Sequence, residues 1–147
     1  MLSLSVYMLG GSERTVATIE YAVDGIGKVI VELCDQSELK ERIEKSDSEL
    51  VHIVPDGAIV MPSFYKAMLN YIEHSHRDYV FCPGIRISNG KAEEVRQQGE
   101  FSCGQLIVRT WVVKELGASV QDLNKLGHRI ISEYRGVEIP HNLYMEI

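Results

Sequence analysis

The chain has 147 residues, 45% of them apolar and 24% charged, a size and balance suited to one globular domain with a real core. Its formal charge of -6 and the lack of a basic stripe argue against nucleic acid as a partner, because such binders neutralise phosphates with clustered Lys and Arg. Cys34, Cys82 and Cys103 are odd in number and lack C-x-x-C spacing, which points to three buried, reduced thiols rather than a disulfide framework or cysteine metal site.

The opening run MLSLSVYMLGG has no basic leader and is too short to span a bilayer, so a soluble cytoplasmic protein is expected. Its apolar part, 2 to 9, predicts a strand that ends at Gly10-Gly11. Ser12 is then placed to cap a helix carrying Val16, Ile19 and Val23, with Gly25 and Gly27 as stops. KVIVELC, 28 to 34, is a β-branched run that predicts a strand buried on both faces. Ser37 can cap a short charged helix with Leu39 and Ile43 on its inner side.

A third strand is predicted over 49 to 54, followed by the acidic turn at Asp56-Gly57. Pro62 suits the first turn of the next helix, whose apolar stripe is Phe64, Met68, Tyr71 and Ile72. YVFCPGIRIS reads as a strand interrupted at Pro83-Gly84, and Asn89-Gly90 as a tight turn. KAEEVRQQGE is compatible with a return strand or a loop. Thr110 can cap a short helix that closes at Gly117 in a left-handed conformation. Ser119 and Asp122 have capping-box spacing before a longer helix bearing Leu123, Leu126, Ile130, Ile131 and Tyr134. Gly136 ends that helix, and VEIPHNLYMEI supplies a last strand or tail.

Alternating strands and helices predict an α/β domain, a mostly parallel sheet flanked by helices with a β-hairpin in the second half. In such a sheet Gly10, Asp35 and Asp56 all fall just beyond strand carboxyl ends, where ligands bind.

The order of these motifs resembles a family-2-type glycosyltransferase domain with the GT-A nucleotide-sugar-binding fold. LSVYMLGG, VIVELCDQS and HIVPDGAIVMP stand where the family has its nucleotide loop, its acidic turn and its D-x-D strand. CGQLIVRTWVVKELGA and QDLNKLGHRIISEYRGVEIP resemble the family's later strand, helix and closing strand. The resemblance covers most of the chain as a single domain, residues 1–147. It implies a nucleotide sugar as donor, with Asp35 reading the base, Gly10 and Arg109 beside the nucleotide, Asp56 on ribose or a metal-bound phosphate, and Asp122 as acceptor base.

Two departures qualify it. About twenty residues separate Asp35 from Asp56, too few for the further β-α unit the family usually has there. The D-x-D motif reads Asp56-Gly57-Ala58, so a magnesium or manganese ion would have Asp56 alone and be weakly held. These losses point to nucleotide-sugar binding with impaired transfer. The alternatives are a non-catalytic binding or interaction module of the same fold and a Rossmann-type dinucleotide enzyme, although the loop GGSERT lacks that fingerprint.

Each residue also has a purely structural reading. Asp35 with Ser37 can form a turn and cap, Asp56-Gly57 is an ordinary turn pair, Asp122 suits a helix start, and Arg109 suits the surface. His52 is expected in the core or on a strand face, His74 and His76 in solvent, and Trp111 as an anchor against the sheet. Homodimerisation is one way for a domain with so pared-down a cleft to complete its surface.

Overall fold

In the computed structural model, which describes residues 2–147 (Ala118 by its backbone alone), the chain forms two sheets and five α-helices. The larger sheet contains β1 (Leu4–Met8), β2 (Val29–Leu33), β3 (Leu50–Val54), β5 (Tyr79–Phe81), β8 (Leu106–Arg109) and β9 (Gly136–Glu138), in the order β2-β1-β3-β8-β5-β9. β8 runs antiparallel to both neighbours, and every other pairing is parallel. The smaller sheet, in the order β4-β10-β6-β7, contains β4 (Ala58–Val60), β6 (Gly84–Ser88), β7 (Lys91–Val95) and β10 (Tyr144–Glu146).

Strand periodicity divides the core into two layers. Leu4, Val6, Leu50, Val54, Val80 and Ile107 face helices α1 (Glu13–Val23) and α3 (Phe64–Ser75), where they meet Ile19, Phe64, Met68 and Ile72. Their sequence neighbours Tyr7, Val51, Ile53, Phe81 and Val108 face α2 (Gln36–Glu44), α4 (Thr110–Glu115) and α5 (Leu123–Glu133) through Leu39, Ile43, Val112 and Ile130. No described helix is long and apolar enough to cross a membrane.

Three strands of the large sheet hand the chain to the small one at their carboxyl ends: β3 to β4, β5 to β6, and β9 to β10. The Pro83-Gly84 interruption is the second of these crossings, where a proline lacking an N–H leaves the ladder at no cost. Asn89 and Gly90, with φ of 52° and 73°, make the tight β6-β7 turn, so KAEEV is a return strand.

Several local expectations are corrected. β2 is an edge strand, with Ile30 55% and Leu33 58% exposed, not a strand buried on both faces. Among the described residues β2 pairs with β1 alone and no strand lies on its outer side. Gly117 has no positive φ, because the chain continues from α4 into a 3-10 turn, Gly117–Gln121. The Ser119–Asp122 capping box does not form. Asp122 itself caps α5, accepting the Lys125 N–H at 3.1 Å, while the Ser119 hydroxyl accepts from Arg129 at 3.0 Å. Gly136 opens β9 instead of ending α5. Trp111 is half exposed and touches Tyr134 edge-on, so it does not anchor α4 to the sheet.

Candidate functional site

The pairing register brings three of the expected residues to one place. Met8 lies opposite Leu33 on one side and Val54 on the other, and Gly10, Asp35 and Asp56 each stand two residues further on. The ladder continues past the strands, with Cys34 N–H donating to Met8 O and Leu9 N–H to Val54 O, both at 2.9 Å. Parallel neighbours are spaced by about 5 Å, so the three loops share one mouth at the carboxyl edge.

Asp56 and Gly10 are in direct contact. Pro55 to Ala58 form a tight turn closed by Ala58 N–H to Pro55 O at 3.3 Å, and Gly57 supplies the φ of 88° that the turn needs. This turn folds the Asp56 carboxylate over Gly10, in the space a Cβ would occupy. There Asp56 Oδ1 accepts the Ser12 N–H at 3.2 Å, whereas the Ser12 hydroxyl makes no cap bond. Asp56 therefore serves as a remote anion for the start of α1.

Asp35 sits at the N-cap of α2, exposed, and its side chain makes no cap bond. Asp122 reaches the same edge through its neighbour, since Gln36 Nε2 donates to Gln121 O at 2.9 Å. Arg109 does not join them. Because β8 is reversed, Arg109 pairs with Leu50 at the amino edge, and its guanidinium donates to the carbonyls of Arg77 at 2.7 Å and Ile72 at 3.4 Å. It braces the carboxyl end of α3 and lies on the wrong side of the sheet for the expected nucleotide contact.

The donor set does not fit a protein-held divalent ion. One oxygen of Asp56 is held by Ser12, and Ala58, in the second D-x-D position, is fully buried in the apolar core at the start of β4. No group of three or more His, Cys, Asp or Glu side chains with metal-binding geometry occurs among the described residues. Asp56 alone is a weak anchor for magnesium or manganese, and no chemistry is routed through a metal.

Other residues of this edge were not singled out from the sequence. The 3-10 turn Cys103–Gln105 packs beneath Pro55, close enough that a Cβ on Gly104 would crowd the Pro55 ring and the Tyr144 hydroxyl. Tyr144 O–H donates to Glu146 Oε1 at 2.7 Å and lies 2.9 Å from the Ser102 hydroxyl. Glu146 in turn faces Ala58 across the β4-β10 pair. The only early sign of this cluster is the glycine in SCGQ, since a tail such as LYMEI has no pattern that reveals its partners.

Below the mouth lies a buried polar pair. His52 Nε2 is 2.7 Å from Gly104 O, which can only accept, so Nε2 carries the proton and Nδ1 accepts from Tyr65 O–H at 2.8 Å. Burial pushes the His52 pKa down to about 4, against the opposing pull of the Gly104 carbonyl. The same cause raises Cys82 and Cys103 to about 12 and also raises Cys34. Burial thus favours the neutral thiol at all three positions.

Neither a protein-family model nor a curated protein sequence matches the chain. Solved structures do. The crystal structure of S. aureus TarS 1-349 superposes with a TM-score of 0.67 at 11% identity, over 99% of this chain and 60% of that one. Its complex with UDP-GlcNAc gives 0.62 at 11% identity, over 99% and 58%. The bifunctional IspDF of Campylobacter jejuni gives 0.53 at 13% identity, over 95% and 49%. The chain thus spans about three fifths of the TarS 1-349 structures it matches. At such identities the likeness is one of fold, and the fold is the GT-A-like α/β arrangement that the motif order implied.

Proposed function

We propose that the chain is a glycosyltransferase-like domain that binds the nucleoside diphosphate portion of a nucleotide sugar at the mouth defined by Gly10, Asp35 and Asp56, with sugar transfer impaired. The observation that carries this reading is the shared register of those residues, each two positions beyond a common row of the sheet. Three adjacent loops at a carboxyl edge, beside the start of α1, offer a base, a ribose and an anion their usual partners. Support comes from the likeness to TarS, whose structures include complexes with UDP and UDP-GlcNAc.

In this reading Asp35, exposed and without a cap bond, accepts from the N–H groups of the base. Asp56 has one oxygen held by Ser12 and presents the other to ribose hydroxyls. Asp122 is the carboxylate available as acceptor base, but it is already bound to Lys125 N–H. With Asp56 and Asp122 both engaged in capping, little acidic capacity is left for transfer, and this favours the non-catalytic binding module as the second reading.

Calorimetric titration with UDP, GDP, their sugars and NAD, followed by an assay of donor hydrolysis, separates the possibilities. Binding of a uridine or guanosine diphosphate without turnover agrees with the proposal. Rapid turnover contradicts the impairment, binding of NAD alone contradicts the nucleotide-sugar assignment, and no binding leaves the interaction module.

A further inference from the structure

The small sheet carries a row of side chains that starts at the second D-x-D position. Ala58 on β4 lies opposite Glu146 on β10, Glu146 lies beside Arg86 on β6, and Arg86 lies opposite Glu93 on β7. Residues in register share a face, so these four point the same way. The next row on that face, Val60, Tyr144, Gly84 and Val95, is buried throughout. Along the first row the face emerges from the core. Ala58 is fully buried, the side chains of Glu146 and Arg86 are 26% and 35% exposed, and Glu93 is in solvent. An open hollow of about 620 Å³, lined by Arg86, Glu93, Arg96 and Glu100 among others, lies over its outer end.

This row belongs to the carboxyl edge. Tyr144, whose O–H donates to Glu146 Oε1 at 2.7 Å, shares with the Pro55 ring the space beside the bare α-carbon of Gly104. The strand order β2-β1-β3-β8 therefore sets four groups along the edge: Asp35, Gly10, Asp56, and then Tyr144 with Glu146 beside the 3-10 turn that leads into β8. A nucleotide sugar is itself a chain of base, ribose, diphosphate and sugar. With its base at Asp35 and its ribose at Asp56, its sugar comes to the β8 end.

We infer that Glu146 holds the sugar of a nucleotide sugar, accepting hydrogen bonds from the sugar hydroxyls, with Arg86 as its positioning residue. This rests on the mouth holding a nucleoside diphosphate. A carboxylate offers about four acceptor sites. Among the described residues Glu146 Oε1 takes one bond, from Tyr144, and Oε2 meets the Arg86 guanidinium at 3.7 Å, too far for a hydrogen bond. Arg86 is fixed in turn by donating to Glu100 O at 3.3 Å. Hydroxyls bond strongly to such a charged acceptor, whereas Glu146 and Glu93 would repel a further anion, so the row suits an uncharged polyhydroxyl group.

Calorimetric titration with UDP, GDP, UDP-GlcNAc, UDP-glucose and GDP-mannose, on the wild-type chain and Glu146→Gln, tests it. For at least one of these sugars, the affinity of the sugar nucleotide relative to its free diphosphate is expected to fall about tenfold in Glu146→Gln. The variant should bind the free diphosphate at least as tightly, because a negative charge has gone. It should also melt at the wild-type temperature, because Gln still accepts from Tyr144. Glu94→Gln, on the opposite face of the same hairpin, should leave the ratio unchanged. A wild type that binds UDP or GDP but no sugar nucleotide, a ratio that survives in Glu146→Gln for every sugar, or an equal fall in Glu94→Gln overturns the inference. If neither UDP nor GDP binds, the nucleotide reading itself falls and this inference falls with it.

Discussion

The Asp56 carboxylate accepts the backbone N–H of Ser12 at 3.2 Å while lying against the bare α-carbon of Gly10, 46 residues earlier in the chain. One turn thus closes the mouth, caps α1 and demands a glycine. Gly10→Ala is expected to cost about 1–3 kcal/mol, since both Cβ and carboxylate of Asp56 would have to move. Urea unfolding of Gly10→Ala, Asp56→Ala and the double variant forms a cycle. Coupling is predicted, with the double variant more stable than the sum of the singles implies. Strict additivity would show that the two residues do not meet.

Ala58 leads to a prediction against the intuitive repair. Ala58→Asp restores the lettering of D-x-D, yet its side chain enters the apolar layer beside Val60 and Phe64. An unpaired carboxylate there should cost several kcal/mol, about 3 or more. Thermal unfolding checks the loss, and titration with manganese should reveal no new site. A stable, manganese-binding variant would mean that β4 presents this position to the mouth.

Stability should also depend on pH through His52. Its folded pKa of about 4 lies below the ordinary 6.5, so a proton binds the unfolded chain more readily than the native one. The stabilisation is therefore complete above about pH 6.5, falls as pH drops toward 4, and levels off below, for a total of about 3 kcal/mol. Denaturation curves at successive pH values measure this slope. His52→Phe, which has nothing to titrate, should flatten it.

Arg109→Ala is expected to destabilise the fold by about 1 kcal/mol, because two carbonyls at the end of α3 lose their donor. Nucleotide affinity should be unchanged. A selective loss of affinity without loss of stability would place Arg109 in the site after all.

Much of the mouth was legible because alternation reveals where strands end. Gly10, Asp35 and Asp56 could be assigned to one edge once the first three strands were taken as parallel. Periodicity does not say which strands are neighbours, however. Nothing in LIVR announces that β8 runs backwards, and this reversal alone carries Arg109 to the far edge. The same blindness made β2 look internal, as a β-branched run occurs in an edge strand as well as in a buried one. Of the small sheet only the β6-β7 hairpin was legible, because three-residue strands such as AIV and YME are too short for a period to register. Ser119 and Asp122 are both good caps, and the 3-10 turn between α4 and α5 decided for Asp122.

The most direct measurement is calorimetric titration of UDP into the wild-type chain and Asp35→Ala, since Asp35 is exposed and its removal breaks no cap bond. The account predicts saturable binding by the wild type, affinity about tenfold weaker in Asp35→Ala, and equal thermal stability for both. Equal UDP affinity in the two proteins would contradict the assignment of the mouth as the nucleotide site.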